Sequence, residues 1–222
     1  MSQHRALSDS KPGVPSTRYD PRRVAVLVIV YAVLCVLCLL WAFRGQRPPE
    51  YPAAECLVAP VSDYHVDQAF GKPSQDGSEV LLGEEVLLPA YTPVLAVAPG
   101  YVAYAGTVPE FQGVIIIEHR LADGTVFRSI YGHLEPIAFL VREREVVSGG
   151  QEIGYLAEAD EELETSRLHF GLRKGAHVPG VWEAYGWGPE DLLDDYYKPS
   201  AFLVEHRCQG EQGKSGLVVI VK

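Results

Sequence analysis

The chain has 222 residues, enough for one ordinary domain with accessory segments, and a formal net charge of −10 at pH 7. An acidic chain has no bulk attraction for an anionic polymer, which argues against a nucleic-acid partner. Any contact with a charged polymer would have to be local.

The elements follow in chain order. Residues 1–23 are rich in Ser, Pro and charge and read as a disordered tail. Val24 to Phe43, "VAVLVIVYAVLCVLCLLWAF", is a run of twenty residues without a charge. That is about the number a helix needs to cross roughly 30 Å of hydrocarbon. It has no polar stripe, as a core helix would, and no small-residue cleavage site follows it. The reading is an uncleaved transmembrane helix over 24–43. Of the 19 basic and 29 acidic residues, five and two lie in the tail, a net of +3 there. The remaining 14 and 27 give −13 beyond it. The positive-inside rule then predicts a single-pass membrane protein with residues 1–23 in the cytoplasm and the rest of the chain on the far side.

Residues 44–56, beginning "RGQRPPEYPAAE", are Pro-rich without apolar periodicity and suit a short, stiff stalk. Cys35 and Cys38 lie one turn apart in the apolar run and read as small apolar residues. Cys56 and Cys208 flank the folded region. In an oxidising compartment they either form a bridge or stand as two buried thiols.

From residue 57 onward, runs rich in Val, Ile, Tyr and Phe alternate with Gly and Pro breaks every eight to twelve residues. The fold class is mostly β, a compact antiparallel sheet core over residues 57–204 preceded by one transmembrane helix. "ADGT", Ala122 to Thr125, is a hairpin turn signal. Gly149 and Gly150 read as a second turn, and "GPEDLLDDYYKP" looks briefly helical. In "TSRLHFGLRKG", Leu168, Phe170 and Leu172 share one face and Arg167, His169, Gly171 and Arg173 the other. Residues 205–222 form an extension whose end, "GLVVIVK", has the composition of an extra strand.

The ordered series "VLLGEEVLLPAYTPVLAVAPGYVAYAG", "GVIIIEHRLADGTVFRSIYGHL", "GGQEIGYL", "LHFGLRKG" and "KPSAFL" resembles the LytM/lysostaphin-type zinc metallopeptidases, which cut peptidoglycan cross-links. The resemblance covers roughly residues 60 to 203. It implies a β core of the duplicated-hybrid-motif type, with a groove across one sheet. It also implies a zinc ion on three protein ligands with an open fourth position, where the metal polarises a carbonyl and acidifies water.

Carried over position by position, the resemblance places the first ligand at Leu81, whose side chain has no lone pair. The second falls on Glu85, a carboxylate one methylene longer than the family's Asp. The third falls on His169, which is intact. Of the two catalytic histidines, one is retained as His133 and the other is replaced by Arg167. A permanent cation at Arg167 also disfavours a metal cation beside it. These changes imply that no catalytic set is intact, and that the metal site survives only as the remnants Glu85 and His169. A bidentate Arg167–Glu85 pair is an expected substitute for the metal charge. The groove rim falls on Tyr131, Glu158, Asp160 and Glu161. The acidic stretch "AEADEELETS" reads as a solvated loop or as carboxylates presented to a basic partner. His119 reads as a surface strand residue, and His65, Glu84, Glu85 and His133 form a conceivable replacement ligand set.

Three functions stay open. The leading one is a catalytically silent, membrane-anchored domain that binds an envelope protein, such as a wall hydrolase that it regulates. The second is an active metalloendopeptidase with a non-standard ligand set, the only reading that requires zinc as cofactor. The third is a peptidoglycan-binding module.

Overall fold

A charge-free apolar run can satisfy its backbone in hydrocarbon only as a helix or within a closed barrel. Among the residues described by the computed structural model, which are 20–45, 48–109, 111–159, 165–178 and 186–208, this run forms α1 (Pro21–Gly45, 25 residues). Its stretch Pro21–Leu39 has a mean hydropathy of 2.4, long and apolar enough to anchor the chain in a membrane. The helix starts three residues before the expected boundary. Pro21 suits a first helical position, and the Asp20 carboxylate accepts the Arg22 backbone N–H at 3.0 Å. Most of the N-terminal tail lies outside the described residues, as do Gln209 to Lys222 with the expected extra strand. Two compact units divide between Arg47 and Pro48.

Among the described residues, the regular structure of the second unit consists mostly of antiparallel strands. Its principal sheet has seven: β2 (Glu84–Leu87), β4 (Gly100–Val108), β5 (Gln112–Arg120), β6 (Val126–Leu134), β7 (Val146–Val147), β9 (Arg167–Lys174) and β11 (Tyr196–Tyr197). Their order is β11-β9-β6-β5-β4-β7, with β2 also paired to β9. Two small sheets flank it, β1 (Val80–Leu81) with β10 (Trp187–Gly188), and β3 (Pro93–Leu95) with β8 (Glu152–Tyr155). The β5–β6 hairpin turns at the expected "ADGT", where Gly124 adopts φ +92°. The helical stretch near the end is a 3-10 turn, Glu190–Asp195, and α2 (Pro199–Glu205) follows β11.

Alternation along the strands separates two faces. Leu168, Phe170 and Leu172 of β9, Phe127 and Tyr131 of β6, and Ile115 and Ile117 of β5 enter the main core. Val114, Ile116 and Ile130 enter a second apolar cluster on the opposite face, with Val80, Leu82, Phe111 and Tyr196. Burying each such large apolar side chain favours folding by about 1.5–3 kcal/mol. Both faces of the sheet are therefore covered, at least in part.

His119 corrects an expectation. It is fully buried, between Pro99 and Ser129, because it shares the parity of Ile115 and Ile117. Its Nδ1 lies 3.0 Å from the Pro99 carbonyl and its Nε2 lies 2.7 Å from the Ser129 hydroxyl. Burial pushes its pKa down to about 4, against the opposing hydrogen bonds to backbone carbonyls. In the unfolded chain the ring titrates near 6.5. The unfolded state therefore takes up the proton first as pH falls through that value. Stability is complete above it and declines down to about pH 4, by on the order of 3 kcal/mol. The midpoint of thermal unfolding should drop between pH 7 and pH 5, and His119→Gln should flatten that slope. An unchanged slope in the variant would remove His119 as the cause.

The stalk is shorter than expected. Ala54 bridges Leu121, with its N–H on the Arg120 carbonyl at 2.7 Å. The Tyr51 hydroxyl donates to Glu118 Oε1 at 2.9 Å, and the Arg120 guanidinium lies 5.2 Å from the Tyr51 ring centroid. Residues 51–56 thus belong to the domain, held in part by the buried Glu118 carboxylate, which also accepts the His177 N–H at 2.6 Å. At the other end, Leu57 bridges Arg207, and the structure joins Cys56 to Cys208 across 152 positions.

Candidate functional site

Strand β9 carries the site because its polar face lies opposite its core face. The register sets Glu85 of β2 directly across from His169, and Leu87 across from Arg167. A directly opposed cross-strand pair has its Cβ atoms about 5 Å apart, close enough for side chains to bond. Glu85 Oε1 and His169 Nδ1 are 2.9 Å apart, and both side chains are almost wholly buried. The expected Arg167–Glu85 pair is therefore corrected: the carboxylate bonds the imidazole beside it, and Arg167 stands one step away on the diagonal. Among the described residues, no hydrogen-bond partner meets Glu85 Oε2 or Arg167 Nε, although both atoms are buried.

The His169 ring fits because two neighbours lack side chains. A Cβ on Gly83 would come 2.6 Å from His169 Cε1, and one on Gly132 would come 3.2 Å from His169 Cβ. Phe111, which no motif singled out, touches both remaining histidines. Its ring stacks on His133 at 4.9 Å and meets His169 edge-on at 5.4 Å. A Cβ on Gly132 or Gly186 would collide with the same ring. An aromatic side chain thus fills the space beside the two imidazoles. The only sequence signal for it is a lone aromatic in "PEFQG", a stretch otherwise suited to a turn.

Leu81 is fully buried, in register with Trp187. His133 is half-buried at φ +61°, beside a register shift in β5–β6. Its backbone N–H donates to the Phe111 carbonyl at 2.9 Å. That left-handed residue breaks the alternation that would put Tyr131 and His133 on one face. Tyr131 is accordingly not on a groove rim. It is buried in the main core, where its hydroxyl accepts the Val97 N–H at 3.0 Å. Glu158 is exposed and accepts the Tyr91 hydroxyl at 2.8 Å. Asp160 and Glu161 lie outside the described residues.

The conceivable replacement ligands do not converge. Glu84 faces the main core, accepting the Tyr64 hydroxyl at 2.7 Å and the Ser200 N–H and hydroxyl at 3.0 and 2.7 Å. Burial raises its carboxyl above the ordinary range, against those hydrogen bonds. His65 pairs with Asp63 on the surface. Among the described residues, no group of three His, Cys, Asp or Glu side chains is placed to hold a metal ion.

Residues 80–179 match the sequence profile of Peptidase family M23. The cell division protein DipM of Caulobacter vibrioides is 36% identical over 92 residues, which are 41% of this chain and 14% of that protein. A solution structure of lysostaphin superposes with a TM-score of 0.51 at 19% identity, over 77% of this chain and 61% of that one. A further structure of the antimicrobial peptidase lysostaphin, from Staphylococcus simulans, gives 0.49 at 22% identity, over 77% and 60%. The chain thus spans less than two thirds of each of these relatives. The first superposition supports a common fold, a β-sheet core of the lysostaphin kind.

Proposed function

Given that residues 80–179 form a Peptidase family M23 domain of the LytM/lysostaphin kind, we propose that this protein is a catalytically silent member. It acts in the cell envelope by binding a partner protein, such as a wall hydrolase. One observation carries the proposal: the family's metal hollow is made here of residues that cannot make a zinc site. Catalytic zinc takes three protein ligands. At the three places Leu81 offers no lone pair, while Glu85 and His169 are engaged with one another at 2.9 Å. Phe111 lies against His169 and His133. Arg167 brings a fixed positive charge to the same face. The residues do not fit the metal, and no hydrolytic step is assigned to them.

The envelope setting is supported by the apolar helix Pro21–Leu39 and by the likeness to a cell division protein. The tail's net charge of +3 favours a cytoplasmic N-terminus and a periplasmic domain. Photo-cross-linking of the full chain in intact envelopes, from a residue exposed beside the hollow such as Leu87, tests the role. We expect a discrete cross-linked protein band and no retention by purified wall sacculi. Retention on sacculi with release of soluble wall fragments would instead indicate an active peptidase.

A further inference from the structure

Single exposed apolar side chains are ordinary on a protein surface, whereas several set together mark a contact. Strand β8 lies between two rows of chain that expose such residues. On one side β3 pairs with it, setting the exposed Pro93 directly opposite Tyr155. On the other side the Glu135 N–H donates to the Tyr155 carbonyl at 2.9 Å, and the Leu140 N–H to the Ile153 carbonyl at 3.0 Å. The 3-10 turn Pro136–Ala138 between those two residues buries no side chain. Its Ile137 is 95% exposed, more than any described large apolar side chain of the membrane-suited helix α1. Tyr91, just before β3, and Leu140 are each about half exposed.

Carboxylates rim this face. The Tyr91 hydroxyl donates to Glu158 at 2.8 Å, and the Tyr155 hydroxyl donates to Glu152 at 3.3 Å. The Glu158 hydrogen bond first, and least of all the Glu135 charge, hold the Tyr91 hydroxyl above its ordinary range, so carboxylates of both rows reach it. Glu158 also opens the run "EADEELE", with five carboxylates in seven positions. Arg142, beyond Leu140, is engaged with Glu145 at 3.8 Å.

We propose that this face receives a cationic amphipathic helix of a partner protein. Its apolar stripe would lie on Tyr91, Ile137 and Leu140, and its Lys or Arg side chains would meet Glu135, Glu152 and Glu158. Neighbouring strands stand about 4.8 Å apart, so the three rows span about 10 Å, the width of one helix with its side chains. Charge selects the occupant. A second copy of this chain would set the same carboxylates against one another, and an anionic lipid surface would repel them. The proposal rests on the reading of the domain as a protein binder and names where, and by what chemistry, the partner docks.

The test is fluorescence anisotropy of a synthetic helical peptide of Leu and Lys, titrated with the full chain in non-ionic detergent micelles. A peptide with the same leucines and Glu in place of Lys is the comparison, and binding to empty micelles is subtracted from both. The lysine peptide should bind saturably and the glutamate peptide at least tenfold more weakly. The double variant Tyr91→Ser, Ile137→Ser should weaken the lysine peptide at least tenfold with little change in unfolding midpoint, because both side chains face solvent. Val204→Ser, at a comparably exposed apolar residue on α2, should leave its binding unchanged. Equal binding of the two peptides, no effect of the double variant, an equal loss in Val204→Ser, or no saturable binding would overturn the surface. Dimerisation of the chain that the double variant abolishes would assign the face to a second copy, and would overturn it too. Failure here would leave the silent-domain reading standing, because zinc content and envelope cross-linking test that separately.

Discussion

Phe111→Ala should destabilise the domain by about 3–5 kcal/mol, the usual cost of deleting a large buried aromatic. For a domain of this size that lowers the unfolding midpoint by on the order of 10 °C. The cost is high because the ring has neighbours that cannot follow it inward. Gly132 and Gly186 lie against it without side chains, and the His133 and His169 rings are held by the backbone and by Glu85. The cavity left by the substitution would be lined by the two imidazoles and the apolar residues Val114, Ile116 and Ile130 of the second cluster. Phe111→Leu keeps most of the volume and should cost less than half as much. Thermal unfolding followed by circular dichroism checks both, and a shift of under about 2 °C for the alanine variant would mean that the ring does not fill the hollow.

The second large effect concerns the ends of the domain. Cys56 and Cys208 close a loop of 152 positions. Closing a loop of that length restricts the unfolded chain by about 5 kcal/mol in the chain-entropy account, although measured values more often fall at about 2–4. The bridge also holds the residues that seat the stalk, since Leu57 accepts the Cys208 N–H at 3.2 Å and donates to the His206 carbonyl at 2.8 Å. The double variant Cys56→Ser, Cys208→Ser should therefore lose about 2–5 kcal/mol in a denaturant titration. A reducing agent should lower the midpoint of the parent chain and leave the double variant unchanged. Equal midpoints for the parent chain with and without reductant would exclude a stabilising bridge.

Much of the sheet was legible in the sequence because strand alternation is a strong local signal. Alternation alone puts Leu168, Phe170 and Leu172 on one face and Arg167, His169 and Arg173 on the other, and the register agrees. The same rule reaches His119, but its signal is masked. In "IIIEHR" every residue before Glu118 is apolar, so the parity that buries Ile115, Ile117 and His119 is invisible without the partner strands. Tyr131 failed for the opposite reason. Alternation from His133 points it at the groove, but the positive φ of His133 ends the regular strand there.

What depended on pairing across the chain could not be read. Strands β1, β7, β10 and β11 have two residues each, too few to show a period. The seating of Tyr51 on Glu118 spans 67 positions, and no local pattern announces it. In the candidate site, the resemblance to the family proposes the places of Leu81, Glu85, Arg167 and His169. It did not reveal which of the survivors would bond. Register decided that, by setting His169 opposite Glu85 and Leu87 opposite Arg167. Phe111 entered from a loop with no counterpart in the motif.

The central claim is that a metal hollow has become an organic one, held by a carboxylate–imidazole bond and an aromatic ring. Zinc stoichiometry tests it most directly. The full chain, purified in detergent, would be incubated with excess zinc, passed through a chelating column to remove loosely held ion, and measured by elemental analysis. The account predicts near-zero zinc per chain. One zinc retained per chain, and lost in Glu85→Gln or His169→Gln, would contradict it and restore the hydrolytic reading.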